Sequence, residues 1–152
     1  MRQTADLAYH LLRANRAVEA VLLARLESVG IPGLRMGHLT VLRVLPPTGS
    51  ARVSELAAAA GVTRQAVAQI VAELEALGVV EVQVDAEDRR ARAVAYTDYG
   101  RNGYHLAMEA FTGIEAELAA ALGERRLASL KRALAAVAVA AAPRRPTGSS
   151  PP

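Results

Sequence analysis

Between Val53 and Gly78 two helical patterns are separated by only three residues, Gly61-Val62-Thr63. This feature constrains the fold more than any other. Gly61 suits a left-handed C-cap, where a Cβ would be penalised. Thr63 suits the N-cap of the next helix, its hydroxyl accepting an orphan backbone N–H. A tight helix-turn-helix also needs a small residue at the crossing and apolar residues on the second helix that pack back on the first. Ala57 fills the first role, and Val67 and Ile70 the second. One apolar face, Val67, Ile70, Val71 and Leu74, runs to Gly78. The opposite face carries Arg64, Gln65, Ala68 and Gln69.

An alternating run follows, with Val80, Val82 and Val84 on one side and Glu81 and Gln83 on the other, and residues 92–97 alternate again. Residues 85–91 are then expected to form the tip of a β-hairpin directly after the helix-turn-helix, the arrangement of a winged helix. The tip is charged but neutral in sum: Asp85, Glu87 and Asp88 against Arg89, Arg90 and Arg92. It reads either as a solvated, self-paired loop or as arginines held by neighbouring acids, ready for the negative potential of a narrow minor groove.

The flanks are helical. Leu7, Leu11, Ala14, Val18, Val21, Leu22 and Val29 fall at spacings of three and four and predict a helix over 4–29, stopped by Gly30 and Pro32-Gly33. A second helix is expected over 34–45, with Leu39, Leu42 and Leu45 inward, before a loop at 46–50. Thr97 opens a long helix over 98–121, with Leu106, Ala110, Ile114, Leu118 and Ala121 inward. A last one, over 124–142, carries Leu127, Leu130, Leu134, Val137 and Ala141. The tail 143–152, PRRPTGSSPP, has the composition of disorder. Aromatic residues are only 3% of a chain that is 52% hydrophobic, so the core must be built of Leu, Val and Ala. That favours close-packed helices. The expected class is mainly α with a small β-hairpin wing. The divisions are an N-terminal dimerisation helix (1–33), a winged helix-turn-helix (34–97), C-terminal dimerisation helices (98–142) and the tail. The flanking helices are too apolar to stand alone, which predicts pairing with each other and with a second copy.

With no cysteine, thiolate nucleophiles, thiolate metal sites and disulfides are excluded. No secretory signal or membrane-length apolar run is read, so a soluble cytoplasmic protein without membrane contact is expected. The net charge of +3 permits a polyanionic partner without demanding one. No Ser-His-Asp spacing, phosphate loop or paired-carboxylate motif points to an enzyme, and no cofactor is expected. His10, His38 and His105 lie on three helices. They read as surface or satisfied core residues, and although His105 and Glu109 are one helical turn apart, no metal site is expected.

The segment VSELAAAAGVTRQAVAQIVAELEALGVVE followed by DAEDRRARAVAYTDYG resembles the MarR family of winged-helix transcriptional regulators. The shared pattern is the D-x-x-D-R-R tip, a strand, and Thr-x-x-Gly opening a long helix. The resemblance extends over about residues 7–140, including LTVLRVL and LGERRLASL. It implies a homodimer on pseudo-palindromic double-stranded DNA, the recognition helix in the major groove, and commonly a small, often aromatic or phenolic effector. Carried over by position, Arg90 matches the wing-tip arginine of the minor groove and Asp88 the acid that positions it. Arg89 matches a supporting or phosphate-contacting residue, and Arg92 lies in the same wing. Thr63, Arg64, Gln65, Ala68 and Gln69 match the DNA-facing part of the recognition helix. At Ala68 and Gln69 the sequence departs from a commoner Ser and Arg. Arg43 and Arg52 are candidate phosphate contacts, and Tyr9, Arg13, His38 and Tyr104 candidate effector-pocket residues. A repressor relieved by an effector is the expected function; the alternative is a winged-helix module for protein contact without specific DNA binding.

Overall fold

The computed structural model describes residues 6–84 and 92–141. The elements run α1 (Leu7–Ser28), α2 (Met36–Leu42), β1 (Ser50–Arg52), α3 (Val53–Ala60), α4 (Arg64–Ala76), β2 (Val80–Val84), β3 (Arg92–Tyr96), α5 (Asp98–Leu122) and α6 (Glu124–Ala140). This is the expected mainly helical fold with a small antiparallel sheet. The chain divides into two compact units, Met1–Ile114 and Glu115–Pro152.

In the first unit the turn between α3 and α4 follows from its residues. Gly61 caps α3 at φ +69°, and the Thr63 hydroxyl accepts the Ala66 N–H at 3.2 Å to start α4. Val67, Val71 and Leu74 then point inward and join Val41, Leu45, Leu56, Ala57, Val80, Val94 and Tyr96 in one core. The sheet order is β1-β3-β2. β3 is the middle strand, with Ala95 opposite both Ser50 and Glu81, and therefore Ala93 to Tyr96 are all buried. Strand β1 was not expected. Three residues are too few for an alternating pattern to register, and the strand exists only because β3 offers it an edge.

The junction of β2, β3 and α5 rests on Thr97 and Gly100. The Thr97 hydroxyl donates to the Gly78 carbonyl at 2.5 Å and accepts the Gly100 N–H at 3.0 Å, so one side chain caps α5 and ties it to the end of α4. A Cβ on Gly100 would lie 1.8 Å from the Val79 carbonyl oxygen, and only glycine lets the helix approach the strand so closely. Tyr96 closes the other side, its hydroxyl donating to the Leu42 carbonyl at 3.0 Å. Burial, then the neighbouring Tyr104, pushes this phenol well above its ordinary value, so it remains a donor.

Several inward assignments need correction. In the single chain α1 buries Glu19, Leu22 and Leu26, whereas Leu7, Ala14, Val21 and Val29 are exposed. The apolar spacing is genuine, but no element of the same unit covers that face. Helix α2 is shorter than expected, starting after Arg35. It buries His38 and Val41 as well as Leu39, while Leu42 is half-buried and Leu45 is buried beyond its end. In the second unit α6 has no buried residue. Ala121, expected inward, is exposed, as are Leu130, Leu134 and Ala141, while Lys131 bridges to Glu115 at 2.8 Å. The wing-tip and tail expectations, residues 85–91 and 143–152, lie outside the described residues.

Gly100→Ala is expected to lower unfolding stability by about 3 kcal/mol through forced separation of helix and strand. Gly103→Ala, on the same helix but with its added Cβ in ordinary contact with Ile31 at 3.7 Å, should be neutral or stabilising by up to about 1 kcal/mol. Urea melts of both variants check the contrast; equal stabilities would contradict the close approach.

Candidate nucleic-acid interface and its supporting polar network

Thr63, Arg64, Gln65, Ala68 and Gln69 all lie exposed on α4, opposite the buried Val67, Val71 and Leu74. The first two turns thus offer a guanidinium and two amides from one rigid face, with the free backbone N–H groups of a helix N-terminus beside them. Such a set can meet the edges of base pairs and a phosphate. Arg92 is exposed at the start of β3. Arg89, Arg90 and Asp88 are outside the described residues.

Below this face sits a polar network that sequence reasoning missed. His38 is 2% exposed. Its Nδ1 accepts the Arg35 backbone N–H at 3.1 Å, closing the first turn of α2, so its ring proton is on Nε2 and donates to Glu73 Oε2 at 2.9 Å. The Arg35 guanidinium reaches the same oxygen at 2.6 Å. The other oxygen, Oε1, accepts from Gln69 Nε2 at 3.5 Å. One carboxylate of α4 therefore joins the start of α2 to a residue of the exposed face. Its hydrogen bond from His38 holds the Glu73 carboxyl below the ordinary 4.5; partial burial pushes the other way, and Arg35 and Gln69 add to the lowering. The i,i+4 spacing of Gln69 and Glu73 was a readable signal. The link to Arg35 and His38, more than thirty residues away, was not.

Of the two candidate phosphate contacts, Arg43 pairs with Glu19 at 3.0 Å, a carboxylate whose side chain is only 9% exposed. Arg52 is half-buried in β1, its N–H donating to Glu55 Oε2 at 2.8 Å as α3 begins.

A cavity of about 270 Å³ lies between α1, α2 and the first half of α5. Its walls are mostly apolar, with Leu22, Ile31, Leu39, Met108 and Phe111, and with Arg43 and two tyrosines as the polar groups. Tyr104 lines it, its ring centroid 5.9 Å from that of Tyr96. Tyr9, Arg13 and His38 do not. Tyr9 and Arg13 stack on each other on α1, the guanidinium carbon 5.7 Å from the ring centroid. His38 faces a separate shallow cleft beside Gln69 and Glu73. Among the described residues no three His, Cys, Asp or Glu side chains gather as a metal site requires, and no helix is long and apolar enough to cross a membrane.

The comparisons agree with this geometry. The model of the MarR family matches residues 29–91. Among solved structures, the transcriptional repressor CouR bound to a 23-mer DNA duplex is similar at 26% identity and a TM-score of 0.71, covering 88% of this chain and 92% of that one. A probable transcriptional regulator from Pseudomonas aeruginosa is similar at 19% identity and a TM-score of 0.70, covering 90% and 99%. A MarR-family transcriptional regulator from Rhodococcus sp. RHA1 is similar at 21% identity and 0.66, covering 89% and 96%. No curated protein matches the chain.

Because Glu73 has a lowered pKa, its contribution to stability is complete above about 4.5 and is lost as pH falls through the folded-state value. Acid unfolding of the wild type should therefore steepen below that pH. Glu73→Gln should flatten this part of the stability profile; an unchanged profile in circular-dichroism titrations would contradict the network.

Proposed function

We propose that this chain, whose winged helix is of the MarR family, is a homodimeric, sequence-specific DNA-binding regulator, a repressor relieved by a small-molecule effector. The observation that carries the reading is the exposed face of α4, where Thr63, Arg64, Gln65, Ala68 and Gln69 stand clear of the core on a helix fixed from behind. The likeness to CouR bound to DNA supports it. Arg64 can bond a guanine bidentately, and Gln65 and Gln69 can each do so with adenine. In this reading the wing carries Arg90 into the minor groove, with Asp88 holding it and Arg89 and Arg92 beside it.

Two features support the finer parts. Leu7, Leu12, Leu130 and Leu134 are exposed on the terminal helices. Large apolar side chains exposed to water favour burial against a second copy, whose two-fold axis would match a pseudo-palindromic operator. The effector reading rests on the cavity. Its apolar walls suit a small aromatic molecule, and Arg43 suits an acidic group on it. Helix α2 lines the cavity with Leu39 and Leu42 and bonds α4 through His38, so an occupant that favours another position of α2 acts on the recognition helix.

Gel shifts with the chain's own upstream DNA test the regulator reading: a specific complex at moderate salt is expected, and its absence for every fragment would end the proposal. Arg90→Ala should weaken that complex about tenfold with the dimer intact by sedimentation. Gln65→Ala should change preference at one position per half-site by about 1–3 kcal/mol, whereas a uniform loss would mark a backbone contact. Ala107→Trp, which fills the cavity, should leave DNA binding in place and abolish its release by small aromatic acids.

A further inference from the structure

We infer that Glu73 is a positioning residue that sets the base preference of the recognition helix, by locking the amide of Gln69 in the orientation that reads adenine and rejects guanine. This rests on the proposed insertion of α4 into the major groove and adds to it which base one of its residues selects, and why.

Glu73 Oε2 is occupied by Arg35 at 2.6 Å and His38 at 2.9 Å, and both partners hold the group in place. His38 is buried and fixed by the Arg35 backbone N–H. Oε1 is left for Gln69, whose Nε2 lies at 3.5 Å. An ionised carboxylate only accepts hydrogen bonds. The amide must therefore turn its NH₂ toward Glu73, since the opposite orientation would set two acceptor oxygens against each other.

The NH₂ group has two hydrogens. One points back along the side chain and meets Glu73. What Gln69 then presents outward is its carbonyl oxygen with the other N–H beside it, an acceptor next to a donor. Adenine offers the complement in the major groove, its N6 amino group as donor beside N7 as acceptor. Guanine offers two acceptors, O6 and N7, and can be satisfied only if the amide swings its NH₂ fully outward and leaves Glu73. Without an anchored acid at position 73, the amide of Gln69 could turn either way. Ala68 is exposed beside it and has no polar group to compete.

Glu73→Gln gives a sharp test, because Arg35 and His38 are donors and would keep the new amide oxygen, turning its NH₂ toward Gln69. That would reverse the lock and leave Gln69 with NH₂ outward. A pool of randomised duplex DNA is selected with the full-length wild type, and the position whose preference Gln69→Ala erases is identified. There the wild type should prefer adenine over guanine by about 10- to 100-fold. Glu73→Gln should bring the ratio within about threefold or invert it, with Gln65-dependent positions unchanged. An adenine preference that survives Glu73→Gln, or a guanine preference in the wild type, overturns the inference and leaves the regulator reading standing. Selection of no sequence at all overturns both. A measurement on the wild type alone guards against a misfolded variant: replacing that adenine with purine, which lacks the N6 amino group, or with 7-deazaadenine, which lacks N7, should each weaken binding about tenfold or more. Indifference to either replacement also overturns it.

Discussion

The approach of α5 to β2, made through Gly100 and Thr97, is the constraint on which the rest of the first unit depends. The Val79 carbonyl would lie 1.8 Å from any Cβ at position 100, so the spacing between helix and strand is that of two backbones in contact. Thr97 fixes the angle, donating to Gly78 O and accepting from Gly100 N. Gly78 lies just beyond α4, so the end of α4, the start of β2 and the start of α5 meet at a single hydroxyl. The orientation of the exposed face of α4 is in this way set from its C-terminal end by hydrogen bonds to backbone, which are short-ranged and directional.

The body of α4 is held by different physics. Val67 and Val71 bury it without specifying rotation finely, because apolar contact is not directional. The Glu73 carboxylate supplies direction, joining α4 to the start of α2 through His38 and Arg35. A buried imidazole needs both ring nitrogens satisfied, and here one partner lies on its own helix and the other on α4. His38 thus ties two helices together at the point where rotation of α4 would carry Gln65 and Gln69 around with it.

Legibility in the sequence followed the range of the interaction. Gly61, Thr63 and Thr97 were readable because caps and turns are settled within four residues, whereas the close approach at Gly100 depends on Val79, twenty-one residues away. The inward face of α4 was readable from its period. Strand β1 was not, being three residues long and dependent on β3. Glu19 and His38 were not legible as buried groups, since a charged or polar residue inside is explained only by a partner far along the chain: Arg43 for the one, Glu73 for the other. The apolar faces of α1 and α6 present the reverse case. Periodicity reports that a face wants covering, and the single chain leaves those faces open.

Helix α2 connects these observations. It is only seven residues long, yet Leu39 and Leu42 line the apolar cavity, Val41 sits in the core, the Leu42 carbonyl accepts from Tyr96, and His38 holds Glu73. A short helix with few backbone bonds of its own derives its position from such neighbours. Its place is therefore set by the cavity on one side and by α4 on the other. Arg43, the residue after its end, adds an electrostatic tie through Glu19 to α1. Any acid entering the cavity would compete with Glu19 for that guanidinium, so the polar group on the cavity wall is also one that anchors α2.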